Sequence, residues 1–476
     1  MRARFVLFGG IQSSTYLSDT WEWDGTTWRQ ISTPTSPVGL YGFGMAFDGG
    51  RNRVIAIGGY YGSAGNAVWQ YDGATWSQLT TTNLPPTRLG HGLGYDAARS
   101  QLVLFGGVGR GDLWTLSSSA TSWVNRTPSS GGPGSSENPS LNWDPVNDRL
   151  LVLGGPVSAR ALWSWSGTAW TRLEDPPEAL GHAATYEPGK QRLLAFSGQN
   201  LWAWDGTQWG RESPSARTLA SLAWDPVRGA SILFGGWLPN SRHFSETWSW
   251  DGTGWTQLRP VASPPGRRDA AMAWDQARQR LVLYGGRYTL NSSTAQGDTW
   301  EWDGTTWTQL TPSQSPGARA EHWLTYDEVS QRAVLVGGYS NSFSQNTTWA
   351  WNGQLWTERA SGLFGAALAW DPTRTALVLA DGTNTRAWNG SSWVVIPGSN
   401  SASGATATDA VRRRVVLHSW STTSEWNGSQ WTSVQHPTGP FSSRAAMTWD
   451  ALRRRVVLIE RSSDDARTDV WEYVTP

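Results

Sequence analysis

The sequence predicts an all-β fold, and three recurring stretches carry the prediction. The first is a Trp-rich hairpin, Asp19-Thr20-Trp21-Glu22-Trp23-Asp24-Gly25-Thr26-Thr27-Trp28. It returns almost unchanged at Asp298–Trp307 and in weaker copies such as Trp69–Trp76, Trp248–Trp255, Trp349–Trp356 and Trp426–Trp431. The second is an apolar run ending in Gly-Gly, as at Phe5–Gly10, Leu102–Gly107 and Leu281–Gly286. The third is an acid, preceded by an aromatic in all but one copy, at 48, 96, 144, 187, 225, 275, 327, 371, 409 and 450, spaced 38 to 52 residues apart. Four short strands at that period read as the blades of a β-propeller. About eleven copies exceed the usual four to eight blades. Residues 1–476 are therefore expected to form one unusually large ring or two smaller rings in tandem.

Each element follows from its residues. The aromatic–acid pair, often continued by Pro (Pro145, Pro226, Pro372) and an Arg, suits a turn between an inner strand A and a strand B. The run ending in Gly-Gly reads as strand B, buried on both faces. Trp21 and Trp23 alternate with Thr20 and Glu22 at strand spacing, which makes strand C. Asp24-Gly25 tolerates positive φ, so the chain reverses there into strand D, and Trp28 faces Trp23 across the hairpin. Trp28, Trp255 and Trp307 are expected to be buried. No helical pattern of useful length appears.

Composition narrows the function. Lys+Arg and Asp+Glu are 38 each, so the net charge is zero and nothing points to nucleic acid. Nearly all the positive charge is Arg, with Lys190 the one Lys, which reads as genome composition. Cys is absent, which excludes disulfides and thiol chemistry. No apolar run of about 18 residues exists, so no membrane insertion is expected. Met1–Gly10 already reads as a strand, so no signal peptide is expected within the sequence. Repeated Asp-Gly lacks the D-x-D-x-D spacing of a calcium loop, so no metal and no cofactor are called for.

Gly-Gly after an apolar strand, then an aromatic pair, Asp-Gly and Trp, is similar to the kelch repeat, and the match runs over essentially the whole chain. The third copy departs from it, with Ser117–Ser122 where Asp-Gly belongs, and two late copies lose Gly-Gly. The resemblance implies that a C-terminal strand supplies a missing strand A of the first blade. It also brings to mind the galactose-oxidase type of copper enzyme, whose Tyr–Cys cross-link cannot be built here without Cys. A bacterial protein, secreted or at the cell surface, is expected.

Candidate site residues fall in two groups. Arg88, Arg217, Arg267 and Arg319 lie eight residues before the repeat's acid, and His91, His182 and His322 lie five before it. Standing just before strand A, they are placed to ring one mouth of a central channel, where Arg is a bidentate donor. Arg268 adjoins this set. Tyr60, Tyr61, Trp237, Tyr288 and Tyr339 follow Gly-Gly in B–C loops of variable length, where function concentrates. In kelch-type rings these loops open on one face. Binding is therefore assigned to Arg88, His91, Arg267, Arg268, Arg319, His322, Tyr60, Trp237 and Tyr339. The structural counter-reading pairs the Arg residues with acids such as Asp269 and Glu321. The expected function is a non-enzymatic binding module holding a protein or carbohydrate at the loop face. The alternatives are a lyase or hydrolase at the channel mouth, or a purely structural repeat of a surface protein.

Overall fold

A computed structural model describes residues 4–60, 65–155, 161–178, 180, 184–197, 200–238, 242–288, 294–340, 343–363, 365, 367–434, 445–461 and 468–473. Tyr61 and His182 lie outside these. The described residues form antiparallel sheets and no α-helix, and the fold is a β-propeller. Eleven sheets of three or four strands follow one another along the chain, and we number them 1 to 11. Sheet 7 shows the pattern: strand A Ala271–Asp275, B Arg280–Tyr284, C Thr299–Trp302 and D Trp307–Leu310, each hydrogen-bonded to the next.

The chain divides into two compact units, residues 1–211 and 212–476. Unit 1 carries sheets 1 to 5 in series. Sheet 1 consists of Phe5–Gln12, Thr15–Trp23 and Trp28–Ile31, which are strands B, C and D. Unit 2 carries sheets 6 to 11 and closes on itself. Its six inner strands, Ser221–Asp225, Ala271–Asp275, Trp323–Asp327, Ala367–Asp371, Ala405–Asp409 and Ala446–Asp450, each touch the next, and the last touches the first. At this seam Ile459 and Val470 of sheet 11 pack on Leu222, Leu233 and Trp248 of sheet 6. The C-terminal strand Thr468–Tyr473 is strand C of sheet 11 and pairs with Arg455–Arg461. It is not the missing strand A of sheet 1, because it is already committed to its own sheet.

The repeated residues join one sheet to the next. The Nε1–H of several strand D Trp residues donates to a strand C Thr of the preceding sheet: Trp76 to Thr20 (2.9 Å), Trp356 to Thr299 (3.0 Å), Trp393 to Thr348 (2.9 Å) and Trp431 to Thr385 (3.0 Å). A buried indole of this kind places a large apolar area and one satisfied donor in the joint. Trp307 is buried as expected, but Trp255 is half-buried and Trp28 is 49% exposed. Trp28 belongs to sheet 1, the first in the series, so no earlier strand C provides its Thr.

The Asp-Gly reversal is as predicted. Gly25, Gly252 and Gly304 have φ of 100°, 99° and 97°. The acid caps its own turn: Asp303 Oδ1 accepts from the N–H of Thr305 (2.7 Å) and Thr306 (2.9 Å). Burial pushes this carboxyl up, but those donors outweigh it and hold its pKa at about 2. The Arg of the A–B turn completes the same face. Arg228 pairs with Asp225 (2.7 Å) and reaches the carbonyl of Asp303 in the next sheet (2.8 Å). At the seam of unit 2 Arg453 pairs with Asp450 (2.7 Å) and reaches the carbonyl of Gly252 (3.4 Å).

Candidate binding face at the B–C loops

The Gly-Gly ends of the B strands and the segments before the A strands meet on one face of each unit. The eighth residue before the acid is an Arg that staples this face from within. Arg267 donates to both oxygens of Asp298 (2.8 Å each), to Gly285 O (2.9 Å) and to Pro265 O (3.1 Å). Its own carbonyl accepts from Gly236 of the previous sheet (2.8 Å). Arg88 repeats the pattern with Asp112 (2.8 and 2.7 Å) and Gly106 O (3.0 Å). Arg217 does so with Glu246 (2.5 Å) and Gly235 O (2.9 Å). Arg319 takes Gly337 O (3.0 Å) and Thr347 Oγ1 (3.2 Å). The predicted bidentate geometry is present at Arg88 and Arg267, but the carboxylate is the chain's own, and all four guanidinium groups are buried. Burial raises the Asp298 and Asp112 carboxyls, and the facing guanidinium outweighs it and lowers both.

The acid in each staple stands two residues before the first Trp of strand C, and that Trp also donates to it: Trp300 to Asp298 (2.7 Å) and Trp114 to Asp112 (2.6 Å). The sequence displays this acid as the first residue of the hairpin motif, Asp19 or Asp298. A reading centred on the turn overlooks it.

His91 and His322 lie under the same face and are buried. Burial, with the adjacent Arg88, lowers His91 to about 4. Burial, with Arg319, lowers His322 to about 3. Both are neutral near pH 7. Gly44 N–H donates to His91 Nε2 (3.2 Å).

One residue after Arg217, Arg267 and Arg319 the chain bridges to the residue after Gly-Gly, Thr218 with Trp237, Arg268 with Arg287 and Ala320 with Tyr339, and Tyr41 at the same place in sheet 2 bridges to Tyr60. The next residue takes positive φ and links consecutive sheets through the backbone. Asp269 (φ 59°) donates its N–H to Leu219 O (3.0 Å), and Glu321 (φ 56°) donates to Asp269 O (3.0 Å). In unit 1 Gly90 donates to Gly42 O (2.7 Å) and Asn138 to Gly90 O (2.6 Å). No residue type marks this position, so the sequence does not announce it.

On this frame the exposed chemistry of unit 2 gathers at sheets 6 and 7. Trp237 and His243 face each other across a two-residue hairpin, their rings stacked with centroids 6.5 Å apart. The Arg268 guanidinium from sheet 7 lies 4.4 Å from the Trp237 ring centroid. Arg268 makes no side-chain hydrogen bond among the described residues, and its nearest acid is Asp269 at 3.7 Å. Asp269 is engaged elsewhere: Arg287 bonds both Asp269 (3.1 Å) and Glu321 (2.5 Å) through one nitrogen. Burial, with Glu321 nearby, raises the Asp269 carboxyl. Burial, with Arg268 nearby, lowers His243. Arg268 and Trp237 of the predicted set are thus brought together, whereas Tyr339 sits two sheets from Trp237 and Tyr60 lies in unit 1. Arg287, His243, Tyr16 and Tyr41 are added.

The six inner strands of unit 2 surround a channel of about 420 Å³. Leu222, Met272, Leu368 and Met447 give it an apolar wall, with Ala223, Ala273, Ala369 and Ala407 one layer further along. His322 and Glu328 flank the two ends of the inner strand Trp323–Asp327, about 20 Å apart at the rise of an extended strand. No helix among the described residues is long and apolar enough to cross a membrane. In comparisons with known proteins, no family model matches the chain and no curated protein matches it.

Proposed function

We propose that the chain is a non-enzymatic binding module, a kelch-type propeller of a secreted or cell-surface bacterial protein, holding an acidic carbohydrate or protein at the B–C loop face. The Arg268 guanidinium carries the reading. It is fixed over the Trp237 ring at 4.4 Å and makes no hydrogen bond among the described residues, whereas Arg88, Arg217, Arg267 and Arg319 are consumed inside their sheets. A desolvated, pre-positioned guanidinium is a bidentate donor for carboxylate or sulfate, and the adjoining indole supplies an apolar surface.

The alternative of a lyase or hydrolase at the channel mouth has one observation in its favour, the raised carboxyl of Asp269 beside Glu321. Against it, both carboxylates are bonded to the same Arg287 nitrogen, which fills the place a reacting atom needs. His322 and Glu328 in the channel are too far apart to act on one bond.

The test is binding of the full chain to immobilised polygalacturonate, a sulfated glycan and a poly-Glu peptide, with wild type and Arg268→Ala in parallel. Salt-sensitive retention on at least one probe is expected, weakened about tenfold by the substitution at unchanged Tm. No retention on any of the three, or equal retention of the variant, overturns the reading. Turnover of a probe that is lost in Asp269→Asn would favour the enzyme instead.

A further inference from the structure

The place that holds Trp237, His243 and Arg268 in unit 2 recurs in unit 1 with different chemistry. In sheet 1 strands B and C run on past Gly9-Gly10 as a hairpin, in which Ile11 faces Tyr16 as Trp237 faces His243. Tyr41 precedes strand A of sheet 2 by the same interval at which Arg268 precedes strand A of sheet 7. Tyr60 follows Gly-Gly of sheet 2 and is held to Tyr41 by paired backbone bonds of 3.0 and 3.3 Å. The backbone frame is shared, and the side chains on it are not. The repeat therefore does not dictate them.

The three tyrosines form one cluster. Tyr16 and Tyr41 stack with centroids 5.8 Å apart and planes 5° from parallel. Tyr60 stands edge-on to both, at 5.6 Å from Tyr41 and 6.1 Å from Tyr16. All three rings are half-buried. Their backbones are pinned from separate segments: Leu40 N–H donates to Leu17 O (3.2 Å), Gly10 N–H to Leu40 O (2.7 Å), and Gly39 lies so close to Tyr16 that a Cβ there would stand 2.3 Å from its carbonyl oxygen. Among the described residues no hydroxyl of the three makes a hydrogen bond and no cation lies over any of the rings. None of the three hydroxyls is a buried, unpartnered atom, so each is open to solvent and to a ligand.

We infer that Tyr16, Tyr41 and Tyr60 form a second binding site, for a neutral saccharide. Aromatic faces cover the C–H face of a sugar ring, and phenol hydroxyls, which donate and accept alike, match sugar hydroxyls. The absence of a paired charge among these three residues separates the site from the Arg268 cluster, so the ligand classes differ. A proline-rich peptide is disfavoured because it needs an open slot between rings, and the Tyr16–Tyr41 stack with Tyr60 across its edge fills that slot. This inference does not rest on the Arg268 reading.

The experiment is calorimetric titration of the full chain with cellohexaose, xylohexaose, maltohexaose and chitohexaose, and with a proline decapeptide. Saturable binding of at least one hexaose is expected. Tyr60→Ala should weaken it about tenfold through the lost ring contact, and Tyr41→Phe about threefold through the lost hydroxyl. Arg268→Ala should leave it unchanged, which separates failure here from failure of the acidic site. Should Tyr60→Ala lower Tm, Tyr41→Phe, which keeps the ring, decides alone. No hexaose bound, equal affinity of both variants, or binding of the peptide in place of the sugars overturns the proposal.

Discussion

Trp307 donates its Nε1–H to Thr247 Oγ1 across 2.9 Å, from strand D of sheet 7 to strand C of sheet 6. Trp307 is 1% exposed and Thr247 equally so, and the indole also packs on Phe234 with ring centroids 5.1 Å apart. One side chain thus seals the apolar joint between two sheets and satisfies a buried hydroxyl.

Trp307→Ala should destabilise unit 2 by about 3–5 kcal/mol, because it opens a cavity and orphans Thr247. Trp28→Ala, the same substitution at the 49% exposed copy, should stay within about 1 kcal/mol. Urea denaturation compares the two. Equal midpoints would mean that the joint does not depend on the indole.

Gly304→Val should destabilise more than Thr305→Val, by about 1–3 kcal/mol. Gly304 holds φ of 97°, and a side chain there would also run into the Arg228 guanidinium. Thr305 is an exposed cap whose hydroxyl bonds Asp303 at 2.7 Å. Matching thermal midpoints for the two variants would contradict the turn geometry.

Arg267→Ala should cost about 3–5 kcal/mol, since it leaves the Asp298 carboxylate without its guanidinium partner and Gly285 O without its donor. Arg268→Ala, one residue on, should leave Tm within about 1°C because its guanidinium makes no hydrogen bond among the described residues and only a 3.7 Å ion pair with Asp269. Thermal unfolding of the pair distinguishes a staple from a ligand donor.

His91 and His322 should make stability fall with acid. Folding holds them at about 4 and about 3, below the ordinary 6.5, so the unfolded chain binds the proton first. Each contribution is intact above pH 6.5 and erodes as pH drops towards the folded value, reaching about 2 kcal/mol at pH 5. His322→Gln should flatten that loss between pH 6.5 and 5 in denaturant titrations. An unchanged slope would show that the ring is solvated.

The propeller is legible because its signals are local. Asp-Gly needs only its own φ, and Gly-Gly needs only the approach of the next sheet's carbonyl, as Gly286 N–H meets Arg319 O at 2.9 Å. The candidate site is less legible because it depends on what faces each residue. Arg267 and Arg268 are adjacent and chemically identical in the sequence, yet one finds Asp298 and the other lies on Trp237. Which of two arginines turns inward is decided by the strand C acid of its own sheet. Tyr16 and Tyr41 escape notice because neither follows Gly-Gly, and only the pairing of Leu40 with Leu17 brings them together.

The seam of unit 2 has a consequence for how that unit comes apart. Arg453 hooks the turn at Gly252 just as Arg228 hooks the turn at Gly304, so the boundary between sheets 11 and 6 is joined like that between sheets 6 and 7. An open stack of repeats frays from its two ends, losing one repeat and one interface at a time. A stack whose last member grips its first has no end to fray. Releasing any one sheet breaks two interfaces at once, which makes partial opening costly and unfolding of the six sheets a single concerted event.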